Sequence, residues 1–173
     1  MNKERRRREQ PADEVVITVR LITKNDTAWL TRMIAKWWGS TDIVTRGRLI
    51  SATTLPGFIA VLHEKPVGAV AYQIIGRECE IVTLNSLRSG KGIGTHLLDE
   101  VKKVALSSRC KRLWVITTND NMSALQFYQR QGFFLVAVHR NALERSRFLK
   151  KEIPLIGQDG TPLRDEIELE MLL

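Results

Sequence analysis

Apolar positions along the chain recur at two spacings, every second residue in short runs and every third or fourth in longer ones, so strands and helices are expected in turn. Val15 to Leu21 is short and β-branched, a strand pattern, and Asn25-Asp26 can then cap a helix from Thr27 to Trp38 that Gly39 would stop. Trp29, Met33 and Trp37 recur at i, i+4 and i+8 within it, so that stripe is expected to face the core, with Trp38 off it. Phe58 to Leu62 and Val67 to Ile75 are apolar runs joined by His63-Glu64-Lys65-Pro66, a hairpin connection in which His63 reads as a turn residue. Cys79 to Leu84 continues the meander. Three glycines at alternate positions follow in SGKGIGTHLL, Ser89 to Leu98, ahead of a helical stripe of Ile93, Leu97, Val101 and Ala105. Arg112 to Thr118 gives a strand, Asn121 to Gln131 a helix stopped by Gly132, and Phe133 to Val138 another strand. Glu166 to Leu172 alternates acids with Ile167, Leu169 and Met171, the pattern of a half-buried strand. No internal repeat interrupts this α/β order.

Composition narrows the class. A chain of 173 residues fits one domain, over residues 15–173, behind a basic, disordered tail over residues 1–14. That tail holds Arg5 to Arg8 with no aromatic residue interleaved for base stacking, and the basic stretch from Arg140 to Lys151 reads as a solvated helix face. The formal net charge of +8 is therefore a weak case for nucleic acid. Cys79 and Cys110 form neither a CxxC pair nor a metal-ligand spacing, so no metal is expected and a reducing, cytoplasmic setting fits. Nowhere do about 18 apolar residues run together, and the N-terminus lacks the apolar core of a signal peptide, so no membrane is expected as a partner.

Glycines at 90, 92 and 94 let backbone approach a bulky ligand, and the helix behind them aims unpaired N–H groups and a partial positive charge at it. A phosphate or pyrophosphate suits such a place. Neither of two familiar phosphate loops matches: Thr95 and His96 stand where a Walker loop needs Lys and Ser or Thr, and Thr95 takes the third glycine's place in the dinucleotide fingerprint.

A second motif lies one helix and one strand further on. NMSALQFYQRQGF, Asn121 to Phe133, sets Asn at a helix start and Tyr128 seven residues later on nearly the same face. With Gly92-Ile93-Gly94, it resembles the GNAT superfamily of acyl-CoA N-acyltransferases, in element order from about Val15 to the last strand and most sharply in these two motifs. The resemblance implies an α/β fold with a central mixed, mostly antiparallel sheet of about seven strands flanked by helices. It implies acetyl-CoA as cosubstrate and a primary amine of a small molecule or peptide as acceptor, and it leaves a homodimer open. Carried over by motif, Ser89, Gly90, Lys91, Gly92, Ile93, Gly94 and Thr95 cradle the pyrophosphate, Ser89 departing from the usual Arg or Gln. Val82, Thr83 and Leu84 offer backbone to pantetheine, and Asn121 and Tyr128 lie near pantetheine and the thioester sulfur.

The chemistry implied is attack of a neutral amine on a thioester. Making a lysine-like amine neutral at pH 7.5 costs roughly 4 kcal/mol, which a base and desolvation must offset. Glu78 and Glu80 share one face of the strand entering the loop; Glu78 matches the glutamate base of some family members, Glu80 less cleanly, and both also fit an ordinary exposed strand face. Tyr128 is the expected proton donor to the thiolate, or a hydrogen-bond donor that steadies it; the alternative is a packed helix aromatic beside Phe127. The 140–165 segment lines the acceptor pocket or merely covers the sheet. A non-catalytic acyl-CoA sensor on the same fold is the competing reading.

Overall fold

The chain lays down β1 (Ile17–Leu21), α1 (Thr27–Trp38), a hairpin of β2 (Asp42–Thr45) and β3 (Arg48–Ser51), and the meander β4 (Gly57–Leu62), β5 (Lys65–Ile75) and β6 (Glu78–Ser86). After these come α2 (Ile93–Ser107), β7 (Arg112–Thr118), α3 (Met122–Arg130), β8 (Phe134–His139), α4 (Ala142–Leu149) and β9 (Glu166–Leu172). This computed structural model describes residues 16–157 and 159–173. The arginine-rich segment expected to form a tail lies outside the described residues. Among those described, no helix is long and apolar enough to cross a membrane.

Seven strands form one sheet in the order β1-β4-β5-β6-β7-β9-β8, while β2 and β3 pair apart from it. Every neighbouring pair is antiparallel except β6 with β7, so the sheet is mixed and mostly antiparallel. The β4–β5 turn is the expected hairpin: His63 and Glu64 both take positive φ, 47° and 62°, as a two-residue turn of primed type requires.

Each face of the sheet carries its own core. Ile93, Leu97, Val101 and Ala105 are all buried and pack against Val70, Ile81, Leu113 and Val115, so the periodic stripe of α2 does bury as one face. α1 covers the opposite face with Leu30, Met33 and Ile34, against Ile59, Ala69 and Val82. The Trp29-Met33-Trp37 stripe expected to face the core is thus turned by about one position: Met33 is buried, Trp29 half-buried, and Trp37 is 53% exposed. Each residue step rotates a helix by about 100°, so a turn of one position brings Leu30 and Ile34 onto the sheet and leaves Trp29 and Trp38 at the edge of the same cluster.

Two irregularities shape the centre. β6 pairs with β7 only from Glu78–Ile81 against Arg112–Val115, so the two strands have no register beyond Ile81. On its other side β6 carries a bulge: Tyr72 faces Ile81 and Ala71 faces Thr83, leaving Val82 as the extra residue. The sheet opens at this point. Above the opening stand the β2–β3 hairpin and α4, which lies in the 140–165 segment and covers the sheet with Ala142, Leu143 and Ser146 buried. Beneath that cover Glu166 and Glu168 are buried, so β9 is covered on both faces where the alternation marked a half-buried strand.

Candidate active site

The loop into α2 is exposed and open on one side. Gly90 and Gly92 both have φ of 72°, and a Cβ added at Gly90 would meet nothing within 4 Å, one at Gly92 only the His96 ring at 3.8 Å. The backbone conformation favours glycine, and the space beside it is open. Gly92 is the residue before the first helical turn and no side chain caps α2, so its leading N–H groups are left to a ligand or water. α3 begins differently: the Asn121 side chain accepts from the Ala124 amide at 3.1 Å and from Ser123 Oγ at 3.0 Å.

The expected cradle residues are not equivalent. Ser89, Gly90, Lys91 and Gly92 are exposed, whereas the Ile93 side chain is core and only its backbone faces outward. Gly94 serves packing: a Cβ there would lie 3.2 Å from the Phe127 ring and 3.5 Å from Leu84. The Thr95 hydroxyl accepts from Gln131 Nε2 at 3.2 Å, tying α2 to the end of α3.

Where β6 and β7 part, a small cavity of about 60 Å³ opens on the α1 face. Val82, Ile116, Thr117, Thr118 and Asn121 form its floor, Trp38, Ile43, Val44 and Leu143 its apolar walls, and Glu80, Glu166 and Thr45 its polar groups. Leu143 belongs to α4, so the 140–165 segment both covers the sheet and lines this cavity. Thr83 is buried and Leu84 half-buried on the same strand, with backbone partners in β5. Asn85 accepts from the Trp38 indole N–H at 3.3 Å and fixes that wall.

The two strand carboxylates part company here. Glu80 is 2% exposed. It accepts from Thr45 Oγ1 at 2.6 Å on one oxygen and, on the other, from Gln73 Nε2 at 2.6 Å and Arg48 at 3.2 Å. Glu78 lies outside the cavity, with a side chain 48% exposed and ion-paired to Arg112 at 3.3 Å. It borders a separate open groove of about 600 Å³ with Arg46, Arg48, Gln73, Ile75, Arg77 and Trp114, and Glu80 lines both spaces.

Beyond Glu80 the same face is a charged network. Arg112 pairs with Glu168, Glu170 and Glu78, and His139 Nε2 lies 2.7 Å from Glu168. Burial pushes the Glu168 carboxyl up, but its His139 and Arg112 partners outweigh this and hold it below the usual carboxylate range. Glu166 behaves oppposite in sign: burial raises it, and the Arg46 backbone amide and the Ser146 hydroxyl, 3.3 Å away, only partly offset that.

Tyr128 sits on the α2 side of the sheet, buried between Phe127 and Phe133 with ring centroids 5.1 and 5.2 Å away. It does not line the Glu80 cavity. Burial raises its phenol well above the ordinary value, so the hydroxyl keeps its proton. Among the described residues no group of three or more His, Cys, Asp or Glu side chains is placed to hold a metal ion.

Thr45, Arg48, Gln73 and Glu166 were not foreseen at the site. The only local signal for the first two is Arg46-Gly47 between short alternating runs, the mark of a hairpin, and both residues have positive φ, 47° and 73°.

A glycine-led helix start beside a bulged and parted strand pair belongs to a known class. The model of the acetyltransferase (GNAT) family matches residues 25–133, and the chain belongs to that family. The uncharacterized protein YdhI of Bacillus subtilis (strain 168) is 41% identical over 150 residues, covering 85% of this chain and 94% of its own. YxbD, also uncharacterized and from the same organism, is 37% identical over 135 residues, covering 78% and 85%. Among solved structures, a GNAT family acetyltransferase from Elizabethkingia anophelis with acetyl-CoA bound superposes with a TM-score of 0.65 at 20% identity, over 91% of this chain and 98% of that one. Arabidopsis thaliana NAA60 in complex with a bisubstrate analogue gives 0.69 at 18% identity, over 91% and 98%. At such identities the likeness is one of fold.

Proposed function

We propose that the chain transfers an acetyl group from acetyl-CoA to a primary amine of a small molecule or peptide. The observation that carries this reading is the alignment of two openings: the uncapped glycine start of α2, and the parting of β6 from β7 at Val82 above a cavity holding Glu80. Backbone amides at residues 89–95 would hold the pyrophosphate, and the free edge of β6 from Val82 to Leu84 would run beside pantetheine. The thioester then ends over the cavity, where apolar walls exclude water and a buried carboxylate faces the amine.

Glu80 is the strand carboxylate that we assign to the acceptor side, because it faces the cavity while Glu78 faces the outer groove and Arg112. Tyr128 is assigned to the leaving thiolate as a hydrogen-bond donor. A phenol raised by burial is a poor source of a fully transferred proton, but a firm O–H donor to developing negative charge.

The test is thiol release from acetyl-CoA with a panel of small amines, polyamines and peptide N-termini. Glu80→Gln should lower kcat/KM for an accepted amine about 10- to 1000-fold, Tyr128→Phe should lower kcat over a similar span, and Glu78→Gln should stay within a few-fold of wild type. Acetyl-CoA bound tightly with no thiol release from any amine would favour the sensor reading. Loss in Glu78→Gln with full activity in Glu80→Gln would reverse the assignment of the two carboxylates.

A further inference from the structure

Two ionisable side chains line the cavity at the strand opening, Glu80 and Glu166, and they differ in what they have left to offer. Glu80 has both oxygens committed, one to Thr45 and the other to Gln73 and Arg48. Glu166 begins β9, opposite Thr118 of β7 and His139 of β8, and is 2% exposed. Among the described residues its hydrogen-bond partners are the Ser146 hydroxyl, at a long 3.3 Å, and the Arg46 backbone amide, with no side-chain cation. It therefore keeps acceptor capacity within a space walled by Trp38, Ile43 and Leu143.

We propose that Glu166 is the group that takes the proton from the acceptor amine, while Glu80, held by Thr45, Gln73 and Arg48, shapes the acceptor side of the cavity. The proposal rests on the acetyltransferase reading above. An ammonium entering the cavity gives one proton to the Glu166 carboxylate. The freed nitrogen lone pair forms the C–N bond to the thioester carbon, and the C–S bond then breaks. The nitrogen's second surplus proton goes to the thiolate and Glu166 returns its proton to solvent, so that an ammonium and acetyl-CoA become an acetamide, free thiol and one proton.

The charged groups around Glu166 fit this task. From β6 there is Glu80, already held by its three donors, and from β9 Glu168, bound to His139 and Arg112. From β8, His139 turns its Nε2 to Glu168 and not to Glu166. From α4, Arg145 is exposed, and the hairpin presents the backbone amide of Arg46. No cation is directly paired with Glu166 among the described residues, and burial raises it above the ordinary carboxylate value.

The decisive experiment is a pH–rate profile with acetyl-CoA and an accepted amine for wild type, Glu166→Gln and Glu166→Asp, with folding followed by thermal melts and acetyl-CoA affinity by calorimetry. Glu166→Gln should lose about 100- to 10,000-fold in kcat/KM near neutral pH and recover toward wild type as the pH approaches the amine's own pKa. Its acetyl-CoA affinity should be unchanged. Glu166→Asp should retain part of the rate and move the acid limb of the profile, which keeps the proposal testable should the Gln variant fold poorly. A Glu166→Gln profile parallel to wild type, or an Asp variant with an unmoved acid limb, would overturn the role of Glu166 and leave the acetyltransferase reading standing. If wild type itself acetylates no amine, the acetyltransferase reading fails, and this proposal with it.

Discussion

The two halves of the sheet solve burial in opposite ways. In β4 and β5 both faces are apolar: Ile59, Ala60 and Val70 have no exposure at all, pressed between α1 on one side and α2 on the other. Across β6, β7 and β9 the α2 face remains apolar through Ile81, Leu113 and Leu169, but the other face carries Glu80, Arg112, Glu166 and Glu168. Apolar burial is indifferent to direction, so the first half is set by area and shape. Buried charges must be met atom by atom, so the second half is set by partners drawn from distant segments. The proposed acceptor site lies in the second half, where the buried groups are ones that can exchange protons.

The largest effect expected is on the apolar half. Leu97 has no exposure and sits between α2 and the sheet, so Leu97→Ala should cost about 2–5 kcal/mol through lost burial and the cavity left behind. Urea unfolding is the check. Leu97 itself lines neither the cavity nor the outer groove, so whatever fraction stays folded should keep wild-type KM for the acceptor; a raised KM would mean that the loss is passed on through Ile81, which belongs to both the core and the cavity.

A smaller effect should follow at the loop. Gly92→Val forces a β-branched side chain into φ of 72° and fills open space beside the α2 start. Acetyl-CoA affinity should fall about 10- to 100-fold, or about 1.4–2.7 kcal/mol, as two or more backbone hydrogen bonds to phosphate are lost. Gly94→Ala is the contrast, since its new Cβ meets Phe127 and not the open side, so it should affect stability more than affinity. Calorimetry and melts on both variants separate the roles; equal loss of affinity in the two would mean that Gly94 also belongs to the cradle.

The same division explains what the sequence could tell. Ile93, Leu97, Val101 and Ala105 are legible because their meaning depends only on helical spacing, and the glycine loop and Asn121-to-Phe133 motif because their local conformation is written in residue type. The α1 stripe was turned because two indoles outweighed Leu30 and Ile34 in the pattern, although shape decides which residues fit under a helix. Glu78 and Glu80 are two apart on one strand, so spacing makes them equivalent. What separates them is Thr45, 35 residues away, and Gln73 across the hairpin. Glu166 was legible as a strand position but not as a buried one, since its cover comes from α4 and from the β2–β3 hairpin that carried little signal.

The smallest effect isolates the charged half alone. Glu166 and Glu168 lie two apart on one face of β9, yet their carboxyls are displaced in opposite directions, the first raised by burial, the second lowered by His139 and Arg112 against the pull of burial. Glu168, lowered in the fold, contributes stability above its unfolded pKa of about 4.3, and that contribution is lost as pH falls through its folded value. Glu166, raised in the fold, favours the folded state below about pH 4.3, and that advantage is lost as pH rises through its folded value. Replacing each with glutamine removes its titration. Relative to wild type, Glu168→Gln should therefore be increasingly destabilised as pH rises from about 3 to about 5 and then level off, while Glu166→Gln should gain relative stability as pH rises from about 4.3 through the raised folded value of Glu166. Urea midpoints across those ranges measure both trends. A shared sign would show that the network around Arg112 treats the two carboxylates alike, and the proton acceptor would then have to be sought among groups that do not titrate with β9.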